Sequence, residues 1–212
     1  VLRRVAWTST ASIVDGLLHF AFYIGVPYVA LLRGVITPQS LGLVVASQSE
    51  SLNQGALVAV GAVALMGLIG WHYRREVISL GEDAHPPLDA TRQLLGRPWG
   101  WVLVLVSVIC QQSHWAFYRA LPFLILDDRY MGGFLGLALV MLEAYANPRV
   151  RDDLKDRAGA EFLLLSAGFA VVTTILFILT GTSWLGGGTH LAVAIGWILL
   201  VQAQQRRQPR ES

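Results

Sequence analysis

Charge is what this sequence has least of. Charged residues make up 14% of its 212 residues, against about 25% in an ordinary soluble domain. Cysteine is nearly absent. A single thiol, Cys110, excludes an intrachain disulfide, and no CxxC spacing suggests a zinc ribbon or a redox pair. There is no HExxH, no repeat of 20–50 residues and no low-complexity block. The net charge of +2 is too small to suggest a nucleic-acid partner.

Long apolar runs fill the space that charge leaves. A bilayer-spanning helix needs about 20 mainly apolar residues, and six candidates satisfy or approach this: 13–32, 55–73, 99–125, 131–146, 162–182 and 188–204. The third is long, and Pro122 is expected to kink or end it near its far side. The first run is too long for the core of a signal peptide, so none is expected. The chain opens on Val1 rather than Met, which leaves room for a leading segment.

The basic residues test the count of six. Six spans put Arg3, Arg4, Arg74, Arg75, Arg92, Arg97, Arg149, Arg151, Lys155, Arg157, Arg206, Arg207 and Arg210 on one side. The other side receives only Arg33 and Arg129, and Arg119 lies within a span. Removing or adding one span scrambles this partition. The positive-inside rule then places both termini in the cytoplasm. The expected fold is an all-α polytopic bundle, with residues 1–212 as one transmembrane domain. A cell inner (plasma) membrane, or an equivalent energy-transducing membrane, suits it.

Trp7, Trp71, Trp99, Trp101 and Trp184 fall near span ends, where an amphipathic ring prefers the headgroup layer. Gly132 and Gly136 allow close helix approach. The 74–98 connection, with Pro86, Pro87 and Pro98, is the longest on the basic side. The 34–54 connection is the longest on the other, and its Val35–Ala46 stretch is apolar enough to lie on the interface.

The costly residues inside the spans are Asp15, His19, Gln111, Gln112, His114, Arg119, Glu143 and His190. Each polar group at membrane depth needs a partner or a role. Asp15 and His19 are four apart and can pair on one helix face. On the third span Gln111, His114 and Tyr118 share one face, while Gln112, Trp115 and Arg119 share another. Glu143 is the only carboxylate well inside the later spans, so an Arg119–Glu143 ion pair is expected. Two other chemistries are open to these residues. His114, Glu143 and His190 form a two-histidine, one-carboxylate set of the type that holds zinc. A neutral His19, His114 or His190 could also serve as axial ligand to a tetrapyrrole.

The order of three short motifs resembles the CPBP family of intramembrane metalloproteases, relatives of the CAAX prenyl proteases. The resemblance covers about residues 100–203. His114-Trp115-Ala116-Phe117-Tyr118-Arg119 resembles the family's Glu-Glu-x-x-x-Arg, with Arg119 retained. Met141 to Tyr145, followed by Ala146-Asn147-Pro148, falls where Phe-x-x-x-His would lie. Thr180-Gly181-Thr182-Ser183-Trp184 precedes His190 at the spacing of the final histidine motif. The family's two glutamates are replaced by His114 and Trp115, its second histidine by Tyr145, and its final Asn or Asp by Ala194. Of the metal-holding positions only His190 remains.

The resemblance therefore implies a pseudoenzyme: an intact scaffold, no catalytic residue, no resident metal or other cofactor, and a role as subunit or scaffold of a larger membrane complex. Its partners would be the bilayer and other integral membrane subunits, with no nucleic acid. An active protease would instead use zinc on His114, Glu143 and His190, with Glu143 as base and Arg119 as stabiliser. A tetrapyrrole-holding subunit of an electron-transfer or photosynthetic complex is the third expectation.

Overall fold

A computed structural model describes residues 16–44, 49–79, 99–155 and 157–205. Among them every regular element is a helix: α1 (Gly16–Leu32), α2 (Ser49–Ser79), α3 (Gly100–Leu126), α4 (Arg129–Ala146), α5 (Pro148–Asp153), α6 (Arg157–Thr180) and α7 (Ser183–Gln205). Each of the six apolar runs falls on a helix where it is described, and α5 is a short linker helix. Three helices have the length and apolarity to cross a membrane: α2 over Leu52–Ile69, α3 over its whole length, and α6 over Leu163–Thr180. α1 is a shorter apolar helix with a π-helical turn at Ala21–Gly25.

The distribution of side chains is the reverse of a water-soluble core. Leu57, Ile125 and Leu164 are 75%, 80% and 76% exposed, while Arg119 is 1% exposed and Gln112, His114 and His190 are buried. In water, so many exposed apolar side chains would cost hydrophobic free energy at every position. In lipid the penalty falls instead on unpaired polar groups, which must turn inward. The buried threonines follow this logic. Thr173, Thr180 and Thr189 donate their hydroxyls to the carbonyls of Ala170, Leu176 and Leu185 in their own helices.

α4 lies closely along α3, as Gly132 and Gly136 suggested. A Cβ added to Gly136 would lie 2.6 Å from the Arg119 Cα, and one on Gly132 would lie 2.7 Å from the Phe123 Cβ. Gly133 faces the other way, onto Ile178 of α6. α7 packs against α2, α3 and α6, and α1 rests on α3. The interior is built around Trp115, Phe169, Ala170 and Val193.

Three connections meet at one end of the bundle. α3 ends on Asp127 in the left-handed conformation (φ 51°), and the Asp128 carboxylate caps α4 by accepting from the amides of Tyr130 and Met131. α6 ends at Gly181 (φ +69°), where an added Cβ would lie 3.2 Å from Arg129 Nη1. The 33–44 segment folds back over the same end. Ile36 and Leu41 are buried against Ala116 and Ala120 of α3. Thr37 and Ser40 exchange hydroxyl-to-amide bonds at 3.0 and 3.1 Å, and Gly34 and Gly42 turn the chain at φ +69° and +70°. The segment is a plug on its inner side, where Ile36 and Leu41 are buried, while Val35, Leu43 and Val44 stay exposed and leave it an apolar outer face.

Two expectations are corrected. Pro122 does not end α3, which continues to Leu126 before the left-handed cap. The last helix begins at Ser183 rather than 188, so Gly186, Gly187 and Gly188 lie within it. Two of these glycines serve close approach: a Cβ on Gly186 would lie 3.1 Å from the Thr173 Cβ, and one on Gly187 3.8 Å from the Gln112 Cγ. Asp15, Trp7 and the Pro86, Pro87 and Pro98 connection lie outside the described residues.

Candidate functional site

The polar residues of the interior divide into three groups, set by the two faces of α3. The first group is on the face that carries His114 and Tyr118. His114 Nε2 lies 2.6 Å from Glu143 Oε2 on α4; the histidine side chain is 4% exposed and the glutamate 30%. The Tyr118 ring stands edge-on to the His114 ring at 4.7 Å. α1 closes the group through its π turn, which presents two successive aromatic residues to one imidazole. The Tyr23 ring lies 4.1 Å from the His114 ring and the Phe22 ring 5.4 Å away. His19 stacks on Tyr23 at 4.3 Å, one turn along the same helix.

The second group is on the other face of α3. Gln112 Nε2 and His190 Nδ1 are 3.1 Å apart, joining α3 to α7. The His190 ring is stacked between Phe169 at 4.1 Å and Trp115 at 5.8 Å, with interplanar angles of 25° and 11°. Gln111, expected on the face of His114 and Tyr118, does not join their group: it turns toward α6 and donates to the Ser166 hydroxyl at 2.6 Å.

The third group is Arg119, one turn beyond Trp115. Its Nη2 donates to the Ser183 hydroxyl at 3.3 Å, and its guanidinium lies over the Phe177 ring at 4.9 Å. Ser183 passes the contact on. Its hydroxyl donates to the Leu41 carbonyl at 2.7 Å and its amide to the Gly42 carbonyl at 2.8 Å. The Thr182 hydroxyl also donates to Gly42, and the Trp184 indole donates to Leu43. Thr182 to Trp184 therefore latch the plug, a role no spacing rule suggested.

These positions correct the expected Arg119–Glu143 ion pair. The two residues sit on facing helices, but Gly136, not Glu143, lies against Arg119. Glu143 is about two turns farther along α4, level with His114. Tyr145, where the family motif would place a histidine, is 74% exposed and points out of the bundle. His190 meets Gln112 rather than His114, Tyr118 or Tyr145. Of the three candidate ligands, the structure brings together His114 and Glu143 and gives His190 a different partner. Among the described residues, no three His, Cys, Asp or Glu side chains are grouped to hold a metal ion.

Chemically, the first group is a carboxylate that orients an imidazole in a water-poor setting, and the second is a neutral amide–imidazole bridge. Phe22, Tyr23, Phe169 and Ser183 were missed because each acts across elements. The reciprocal Thr37/Ser40 turn flanked by two glycines was the legible sign that the 34–44 stretch folds on itself. No family model matches the chain, and neither a curated protein nor a solved structure matches it.

Proposed function

We propose that this chain is a non-catalytic, six-span membrane protein of CPBP-like organisation that works by binding, as a subunit or scaffold of a larger membrane assembly. Both termini lie in the cytoplasm, and the plug faces the opposite side. A plasma or energy-transducing membrane is the expected home. The observation that carries the reading is the pairing of the interior polar residues. His114 is taken by Glu143 and His190 by Gln112, with aromatic rings on both faces of the second imidazole. Metal-assisted hydrolysis needs about three protein ligands converging on one ion, plus a group that takes the proton from bound water. Here the same residues act as cross-helix ties, which hold a scaffold together.

The arrangement of the connections supports the six-span topology. The plug, the Asp127–Asp128 turn and the Gly181 turn share one end, as they must if successive long helices alternate in direction. Arg33 and Arg129 lie at that end, and Arg151 and Lys155 lie beyond α4 at the other.

Zinc content and peptide hydrolysis, measured on the full chain purified in mild detergent, test the proposal. Co-purification with stoichiometric integral membrane partners, without cleavage, is the expected result. Stoichiometric zinc with hydrolysis abolished by His190→Ala would establish the protease reading in its place. A tetrapyrrole absorption band in the purified complex would establish the cofactor-holding one.

A further inference from the structure

Arg119 is a buried cation that the rest of the interior does not neutralise. It is 1% exposed, and its Nε and Nη1 atoms have no hydrogen-bond partner. Only Nη2 is engaged, at 3.3 Å, with the neutral Ser183 hydroxyl. Among the described residues no carboxylate is within ion-pair distance of the guanidinium. Glu143 is committed to His114, and Asp128 to the amides at the start of α4. An arginine does not shed its proton, so the charge persists. An unpaired charge away from water is among the most unfavourable features an interior can contain.

The geometry of the free atoms indicates what would relieve it. Nε shares one edge of the planar fork with Nη2, and Nη1 shares the other; either edge matches two oxygens of a carboxylate or phosphate. The guanidinium lies at Ser183, the first residue of the 23-residue helix α7, whose N-terminal end favours negative charge. The cover over this place is the plug. It is attached to the α7 end through Ser183, Thr182 and Trp184, on the carbonyls of Leu41, Gly42 and Leu43. Those bonds hold only the Leu41–Leu43 end of the segment, which turns at Gly34 and Gly42. Arg119 is also only about two turns from the C-terminal end of α3, on the side where the plug closes the bundle.

We propose that Arg119 anchors an oxyanion-binding site at the N-terminal end of α7, reached when the 34–44 plug lifts. The ligand is a phosphate group, either the phosphodiester of a net-anionic lipid or a free phosphate. Nε and Nη2, which share an edge beside Ser183, take two of its oxygens, and the Ser183 hydroxyl turns from Leu41 to a third. The proposal is independent of whether the chain is a scaffold or an enzyme.

The test is thermal unfolding of the full chain in two settings. In neutral detergent, inorganic phosphate is titrated against chloride at constant ionic strength. In nanodiscs, phosphatidylcholine is compared with a mixture containing phosphatidylglycerol. A rise in the melting midpoint with phosphate identifies a free-phosphate site. A rise confined to phosphatidylglycerol, with a phospholipid retained in native mass spectra, identifies a lipid site. In either case Arg119→Gln should weaken the apparent affinity at least tenfold. If that variant does not fold, Arg119→Lys is read in its place, since it keeps the charge, loses the fork and should also bind at least tenfold more weakly. No rise in the wild type with either probe overturns the proposal, and so does an equal rise in the variant.

Discussion

Gly136→Ala should destabilise this protein, against the usual direction for glycine in a helix. Ordinarily the exchange gains about 0.5–1 kcal/mol, because alanine loses less backbone freedom on folding. At Gly136 the new Cβ would meet the Arg119 Cα at 2.6 Å, its Cγ at 2.7 Å and its backbone nitrogen at 2.8 Å. Carbon–carbon contact is favourable near 3.5–4.0 Å, so the overlap is about 1 Å. Two of those three atoms belong to backbone and cannot rotate away, so α4 must shift from α3. Overpacking of this kind typically costs about 1–3 kcal/mol. The net loss is then about 1–2 kcal/mol, or several degrees of melting temperature at roughly 2–4 °C per kcal/mol for a chain of this size. Gly61 is the internal control, since a Cβ there meets nothing within 4 Å. Gly61→Ala should hold or raise the midpoint. Thermal unfolding in one detergent, followed by helical circular dichroism, measures both. Equal midpoints for the two variants would refute the close α3–α4 contact.

Three other outcomes are expected. With Cys110 replaced by alanine, maleimide should label Gln39→Cys from outside and Arg151→Cys only after permeabilisation; labelling of both from one face would overturn the six-span topology. His190→Leu should cost about 1–3 kcal/mol by stranding the Gln112 amide, and adding Gln112→Leu should restore most of it; strictly additive losses in this cycle would show that the pair is not coupled. Ser183→Ala removes the hydroxyl that donates to Leu41 at 2.7 Å, so hydrogen exchange in 37–44 should accelerate while α3 and α6 keep their protection; unchanged exchange would show that the latch lies elsewhere.

How legible the molecule was depends on which interactions are local. Hydropathy and length alone located the helices, three of them long and apolar enough to span among the described residues, because a backbone in lipid has to satisfy its own hydrogen bonds within each segment. Gly132 and Gly136 were readable as a contact stripe for a related reason: only small residues admit a neighbouring backbone. The two faces of α3 were equally legible, since 3.6-residue periodicity separates Gln112, Trp115 and Arg119 from His114 and Tyr118. Helix ends were less so. Asp127 in the left-handed region and Gly181 set them, so α3 runs past Pro122 to Leu126 and α7 starts at Ser183 rather than 188.

What tertiary structure alone decided is who pairs with whom. Composition made Glu143 the natural partner of Arg119, as the only carboxylate well inside the later spans against the one arginine within a span. The axial offset between α3 and α4, fixed by Gly136 against Arg119, aligns Glu143 with His114 instead. The same offset leaves the guanidinium facing Ser183 and the plug, some 140 residues apart in sequence from the carbonyls that Ser183 holds. Each helix follows from its own residues. The registry between helices arises from side-chain volumes on both surfaces at once, and it determines which charge is matched and which is left open.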